Sequence, residues 1–276
     1  MTPRHFLEIW RAEIAKLFSR TSARAGLVLA ALVAIAGPLF LFMASRADIQ
    51  MNGQSVSSGL ELSGAMGLQW ALELRNNSQI LRALILMLVA LSVAGEYRAR
   101  TIREDLIRPV PRWAVPLSKW LAVDVWILAS LVVAWVFGGL LSTIAFGAGG
   151  TWSQPLLGYG ATFLTDAGFA ALVLMIAVLS RSVAGTIAGV FVYLILDTVL
   201  GWALWLVSKA SGFIHLSQPL EYAVALRPWL PSSAFGAWSG YASRTDWDWR
   251  SFASLGVIMV VCLVVGERFF NRLDVP

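Results

Sequence analysis

Residues 117–146 read LSKWLAVDVWILASLVVAWVFGGLLSTIAF. Lys119 and Asp124 are the only charged residues in this run, and both lie near its start. About 20 consecutive apolar residues suffice to carry a helix across the hydrocarbon layer of a bilayer. This run exceeds that length, so its helix either tilts or extends past the lipid. Lipid offers no hydrogen bonds to the backbone, so a spanning segment is a helix or a strand of a closed barrel. Barrel strands are about ten residues long and alternate apolar with polar positions. The run is far longer and does not alternate, which leaves the helix.

Five further apolar runs flank it, at Ala25–Ala44, Ile80–Ala94, Leu156–Leu179, Val183–Val207 and Phe252–Val265. The expected fold is therefore an all-α polytopic membrane protein with six transmembrane helices. Residues 1–276 form a single transmembrane domain. The composition agrees: 58% of residues are hydrophobic and 13% charged, against about 25% charged in soluble domains.

Six spans put both termini on one side of the membrane. The arm and loops on that side carry fourteen Lys and Arg residues, and the other side carries seven. Positive charge concentrates on cytoplasmic segments. Both termini are thus expected in the cytoplasm, in the plasma (inner) membrane of the cell. The net charge of +5 is accounted for by this orientation and points to no nucleic-acid partner. The lone Cys262 sits inside an apolar run, where packing explains it, and no metal motif is present. No nucleophile–base spacing marks a membrane enzyme.

Four polar features stand out. Residues 4–20 form an amphipathic helix, with Phe6, Leu7, Trp10, Ile14, Leu17 and Phe18 on one face. Glu8–Arg11 and Glu13–Lys16 are spaced to pair. Such a helix lies in the interface plane, as an anchor or as a docking surface. The segments 45–79 and 208–250 are expected on the external side. The second interleaves Trp229, Trp238, Trp247 and Trp249 with Pro219, Pro228 and Pro231, as short helices at or dipping into the interface would. Within the spans, Asp124 is near enough to an end to reach the interface. Asp166 and Asp197 are deeper, and Arg82 is near the outer start of the second span. These three either pair or form a polar wall of a translocation path. Gly185 and Gly189 make a small-xxx-small pattern, for packing within the chain or between chains.

The loop after the second span carries the most specific signal. It reads Gly95-Glu96-Tyr97-Arg98-Ala99-Arg100-Thr101-Ile102-Arg103-Glu104-Asp105-Leu106-Ile107-Arg108-Pro109-Val110-Pro111-Arg112. Thr101 and Glu104 have capping-box spacing. Ile102, Leu106 and Ile107 make a small apolar patch, and Pro109 stops the helix. The expectation is a short two-faced helix over 101–108.

Here the sequence resembles the membrane subunit of ABC-2-type transporters. The resemblance rests on Gly95-Glu96, the Thr101-containing short helix, Pro109-Val110-Pro111-Arg112 and Lys119 at the start of the third span. The six-span layout, the amphipathic N-terminal helix, the Leu179-Ser180-Arg181-Ser182 turn and the charged Phe269–Asp274 tail fit it as well. One departure is Arg100, where the family usually has Gly. The resemblance implies an export permease whose 101–108 helix couples to a separate cytoplasmic ATPase subunit. Glu96, Arg98, Arg100, Thr101, Ile102, Arg103, Glu104, Leu106, Arg108, Pro109 and Arg112 would then form the coupling interface. It further implies a second permease copy, as in a homodimer. ATP and magnesium would bind in the partner, and no cofactor in this chain. Residues 208–250 would be a re-entrant outer gate.

The chain lacks the Gly-x-x-x-x-Gly-Lys-Ser/Thr phosphate loop, so it is not expected to be an enzyme itself. The competing expectations are a transporter driven by an ion gradient and a membrane-embedded assembly scaffold. Topology is directly testable. In a Cys262→Ala background, single cysteines at position 4 and across 98–108 should react with impermeant maleimide only from the cytoplasmic side. Reaction from outside would reverse the orientation.

Overall fold

The computed structural model describes residues 3–46, 50–51, 54–55, 62–99, 111–210 and 249–271. Helix α1 (Pro3–Ser19) turns at Arg20 into α2 (Thr21–Arg46). A two-residue antiparallel pairing, Gln50–Met51 with Gln54–Ser55, precedes α3 (Gly64–Ser78). Then follow α4 (Ile80–Ala99), α5 (Ala114–Phe146), α6 (Ser153–Ser180), α7 (Val183–Ala210) and α8 (Trp249–Asn271). Six of these, α2 and α4 to α8, are long and apolar enough to cross a membrane. The chain is an all-α polytopic membrane protein. Each of the six expected spans lies within one of these helices.

Close packing in lipid needs small residues, because lipid tails are as apolar as the helix faces. Helix α2 supplies them. Ala23, Gly26, Ala30, Ala34 and Gly37 are all buried on one stripe, and α3 and α5 pack against it. A Cβ on Gly26 would stand 2.6 Å from Trp126. The Trp126 indole is fully buried on α5 and donates its N–H to the Ala23 carbonyl at 3.0 Å. A Cβ on Gly37 would stand 2.7 Å from the Ala71 Cα of α3. Pro38 cannot donate to the Ala34 carbonyl, and that oxygen lies against Gly138 of α5.

The main departure from expectation is in residues 45–79, read as an external polar segment. Residues 64–78 are instead a helix inside the bundle, with Leu68, Ala71 and Leu72 buried. Ser63 caps α3, its Oγ accepting from Met66 N. The first turn of α3 meets the far end of α5, with Ala65 N donating to Gly149 O. Its middle meets Gly37 and Gly138, and Leu72 meets Gly158 of α6. Gln79 then takes a left-handed conformation (φ 54°) and α4 begins.

Helices α3 and α4 therefore form one run interrupted at Gln79, of which α4 alone is long and apolar enough to cross a membrane. The run lies antiparallel to α5, from Gly149 at one face to Glu96 beside Lys119 at the other. Arg82, expected near the outer start of the span, lies just past this internal break. The carbonyls freed there are capped by side chains: Ser78 Oγ donates to Arg75 O, and Gln79 Nε2 donates to Asn76 O.

Helix α6 is the most enclosed span, lined by α3, α4, α5, α7 and α8. Gly189 of α7 packs on Ile176 of α6, so this glycine serves packing within the chain. The outer face of α7 exposes Phe191, Val192, Ile195, Leu196, Val199 and Leu200, as a lipid-facing helix does.

Two glycines separate the packing effect from helix propensity. Gly37→Ala forces a methyl against backbone and should cost about 1–3 kcal/mol by overpacking, lowering the melting temperature in detergent. Gly95 has nothing near its Cβ position, so Gly95→Ala should leave melting unchanged or slightly raised.

Candidate functional site

Near the start of α5, Lys119 is only 3% exposed. A buried ammonium is tolerated when it is paired and hydrogen-bonded. Two carboxylates meet it. Glu13 Oε2 of α1 accepts from Lys119 Nζ at 3.0 Å, and Glu96 Oε2 of α4 pairs with it at 2.7 Å. Lys16, half-exposed, closes the circuit on Glu13 Oε1 at 3.0 Å and Glu96 Oε1 at 3.4 Å. Each carboxylate thus touches both ammoniums, and the four charges form a neutral ring. Burial acts to raise the pKa of Glu13, but the Lys119 and Lys16 charges outweigh it. Its carboxyl is held below the ordinary value of 4.5.

The ring joins three elements: α1, the last turns of α4 and the first turns of α5. Two neighbouring contacts extend the join. Phe6 of α1 stacks on Trp113, just before α5, with centroids 6.0 Å apart. Arg112 Nη1 donates to the carbonyl of Asn271, the last residue of α8, at 3.0 Å. The segment between α4 and α5 is therefore held at both ends by α1, and at its second end also by α8.

Of the residues expected to form a coupling interface, Glu96 sits in the ring, Arg98 is exposed at the end of α4, and Arg112 holds α8. Arg100, Thr101, Ile102, Arg103, Glu104, Leu106, Arg108 and Pro109 lie outside the described residues, as do 211–248 of the expected outer gate. Glu13 was legible only as a partner for Lys16. Its place among the buried positions of α1, one turn from Leu17, was the overlooked signal. A carboxylate on the packed stripe of an amphipathic helix needs a cation from the surface it packs on.

A second polar cluster lies at the break between α3 and α4. Arg75 Nη2 donates to Asp166 Oδ2 at 2.6 Å, with both side chains almost fully buried. Arg82 Nε stands 3.6 Å from Asp166 Oδ1. Arg75 also donates to Asn76 Oδ1, and Asn76 donates to Thr162 Oγ1, each at 3.0 Å. The expected intramembrane set was Arg82, Asp166 and Asp197. The structure brings Arg82 and Asp166 together and adds Arg75, hidden from sequence reading by its polar surroundings. Asp197 is buried on α7, which packs on α4 and α6. Asp124, expected to reach the interface, is instead buried within the bundle at 8% exposure. Its place on α5 faces protein, so proximity to a helix end did not free it.

With this geometry in place, one family model matches residues 27–276, from α2 onward. Its description is "Protein of unknown function (DUF2705)". No curated protein matches the chain.

The ring has a measurable stability signature. Lys119→Met leaves Glu13 and Glu96 facing each other with only the half-exposed Lys16 between them. Removing one partner of a buried pair costs about 3–5 kcal/mol, so melting in detergent should fall steeply, and Lys119→Met with Glu96→Gln should recover part of it. Because the folded pKa of Glu13 lies below its unfolded value, its contribution is complete above pH 4.5 and is lost as pH falls through the depressed value. Fluorescence of Trp10 and Trp113 should report loosening of α1 only on that acid side.

Proposed function

The chain belongs to the DUF2705 family of proteins of unknown function, and from that premise we propose that it is the membrane-spanning permease of an ABC transporter. Its ATPase is a separate cytoplasmic subunit that binds ATP and magnesium. A second permease copy completes the path, export is the direction, and both termini face the cytoplasm of the inner membrane.

The observation that carries this reading is the charge ring. A loop that receives force from a partner must have a stiff base, or the work is lost in local bending. The ring of Glu13, Lys16, Glu96 and Lys119 ties the two helices flanking the loop to each other and to α1. From Glu96 in the ring, α4 runs back 17 residues to Ile80, beside the break at Gln79, a rod of about 25 Å. Displacement at its foot therefore arrives at the break between α3 and α4. The motif residues Gly95-Glu96, Thr101, Pro109 and Lys119 support the same reading. So does the lack of a phosphate loop, which moves nucleotide chemistry to another protein.

One observation favours a second reading. Arg75, Arg82 and Asp166 cluster at a broken helix inside the bundle, and ion-driven transporters place their sites at such breaks. Asp166 and Asp197 would be the ion or proton sites of a transporter driven by a gradient.

The two separate cleanly. The purified chain alone should show no ATPase activity and should co-purify with a soluble ATPase. In that complex Glu104→Lys should leave ATP hydrolysis in place and abolish transport in vesicles, with membrane insertion unchanged. Transport in liposomes from a proton gradient alone, without an ATPase, would overturn the permease reading.

A further inference from the structure

The elbow between α1 and α2 carries two arginines that meet no carboxylate among the described residues. Arg20 sits at the turn and Arg24 one turn later, with Arg24 N donating to Arg20 O at 3.3 Å. Arg24 Nε donates at 2.9 Å to the carbonyl of Phe18, at the end of α1. That bond fixes the guanidinium and leaves both Nη groups for another acceptor. Arg20 Nη1 is shut off from solvent and has no hydrogen-bond partner among the described residues. No acidic residue lies between Glu13 and Asp48 in the chain. Glu13 and Glu96 are already divided between Lys16 and Lys119. Buried donors almost always have an acceptor, so the elbow calls for an added anion.

The surface above the arginines says which kind of anion. Arg24, Val28 and Leu32 follow at four-residue steps, and Leu39 and Met43 continue that face of α2. All five are exposed. The face lies opposite the buried stripe of Ala23, Ala30 and Ala34 that packs on the bundle. Helix α2 is long and apolar enough to cross a membrane, so this face meets acyl chains. Arg24, in the first turn, then lies at its foot, at the level of the headgroups. Arginine pairs well with phosphate oxygens. A free phosphate matches the charge but not the apolar face. An amphiphile with an anionic head matches both.

We propose that the α1–α2 elbow binds an anionic phospholipid, with its phosphate on Arg20 and Arg24 and an acyl chain along the face of α2 that begins at Val28. A lipid held there braces the angle between the two helices. Helix α1 also carries Glu13 and Lys16 of the charge ring, so the lipid steadies the ring from the membrane side. The inference requires no ATPase and no transport, so it stands or falls separately from the permease reading.

Native mass spectrometry of the full chain, delipidated in detergent, tests it. Dioleoyl phosphatidylglycerol should bind about tenfold or more tightly than dioleoyl phosphatidylcholine, which has the same acyl chains. Arg20→Gln with Arg24→Gln should bring that ratio close to unity, and Arg20→Lys with Arg24→Lys should keep most of it. Arg46→Gln removes an exposed arginine from the other end of the same helix and should leave the ratio unchanged. Equal affinities in the wild-type chain overturn the inference, and this arm decides even where a variant fails to fold. A preference that survives the double Gln variant overturns it, and so does an equal loss in Arg46→Gln, which reports net charge alone. Inorganic phosphate in large molar excess should not displace the lipid. Displacement would assign the elbow to a soluble phosphate and overturn the lipid reading. Disulfide cross-linking between copies through Leu32→Cys, in a Cys262→Ala background, would give the face to a second copy and overturn it as well.

Discussion

An ammonium ion that loses its water must find carboxylates, and the arrangement at the foot of the bundle follows from how Lys119 meets that demand. Its two partners come from different elements, Glu13 on α1 and Glu96 on α4. Neither partner is adjacent in sequence, so neutralising one charge aligns three helices. Lys16 completes the circuit from the more exposed side. The geometry is specific because each carboxylate is divided between two cations. A slide of α1 by one turn would break several contacts at once.

The same physics operates at the other end of α4. Arg75 and Asp166 are buried more deeply than any member of the ring except Lys119, and they sit where the helix backbone is interrupted. A left-handed residue without a glycine is unfavourable. Gln79 offsets this by reaching both sides of the break, donating from Nε2 to Asn76 O and accepting at Oε1 from Arg82. Helix α4 is thus an unbroken helix between two polar anchors, one at the face of the bundle and one inside it. The stripe of Ala and Gly on α2 supplies the complementary feature, a close-packed wall against which α3 and α5 are held. The bundle therefore combines a rigid apolar seam with a divided polar one. In the permease reading, motion would pass along the divided seam while the apolar seam holds.

Much of the fold was legible in sequence, and little of the candidate site was. The six spans were readable because apolar run length is a local property. The amphipathic N-terminal helix was readable from its periodicity. Helix α3 escaped because Gln69, Glu73, Arg75, Asn76 and Asn77 give it the look of a surface segment. Two of them, Arg75 and Asn76, meet partners on α6 that no local window contains. Asp124 escaped for the converse reason: it lies near a helix end, which suggests exposure, and the neighbouring helices bury it.

By itself the sequence determined that this chain crosses a membrane as helices, how many times, and where positive charge collects, since each depends on residues close together in the chain. Only the tertiary structure decided which charges meet. The pairs that matter join residues 80, 91 and 106 positions apart, and such partners are selected by helix packing. The physical reason is desolvation. A charge in a helix declares that it needs a partner, but only the packed bundle determines which one comes within reach.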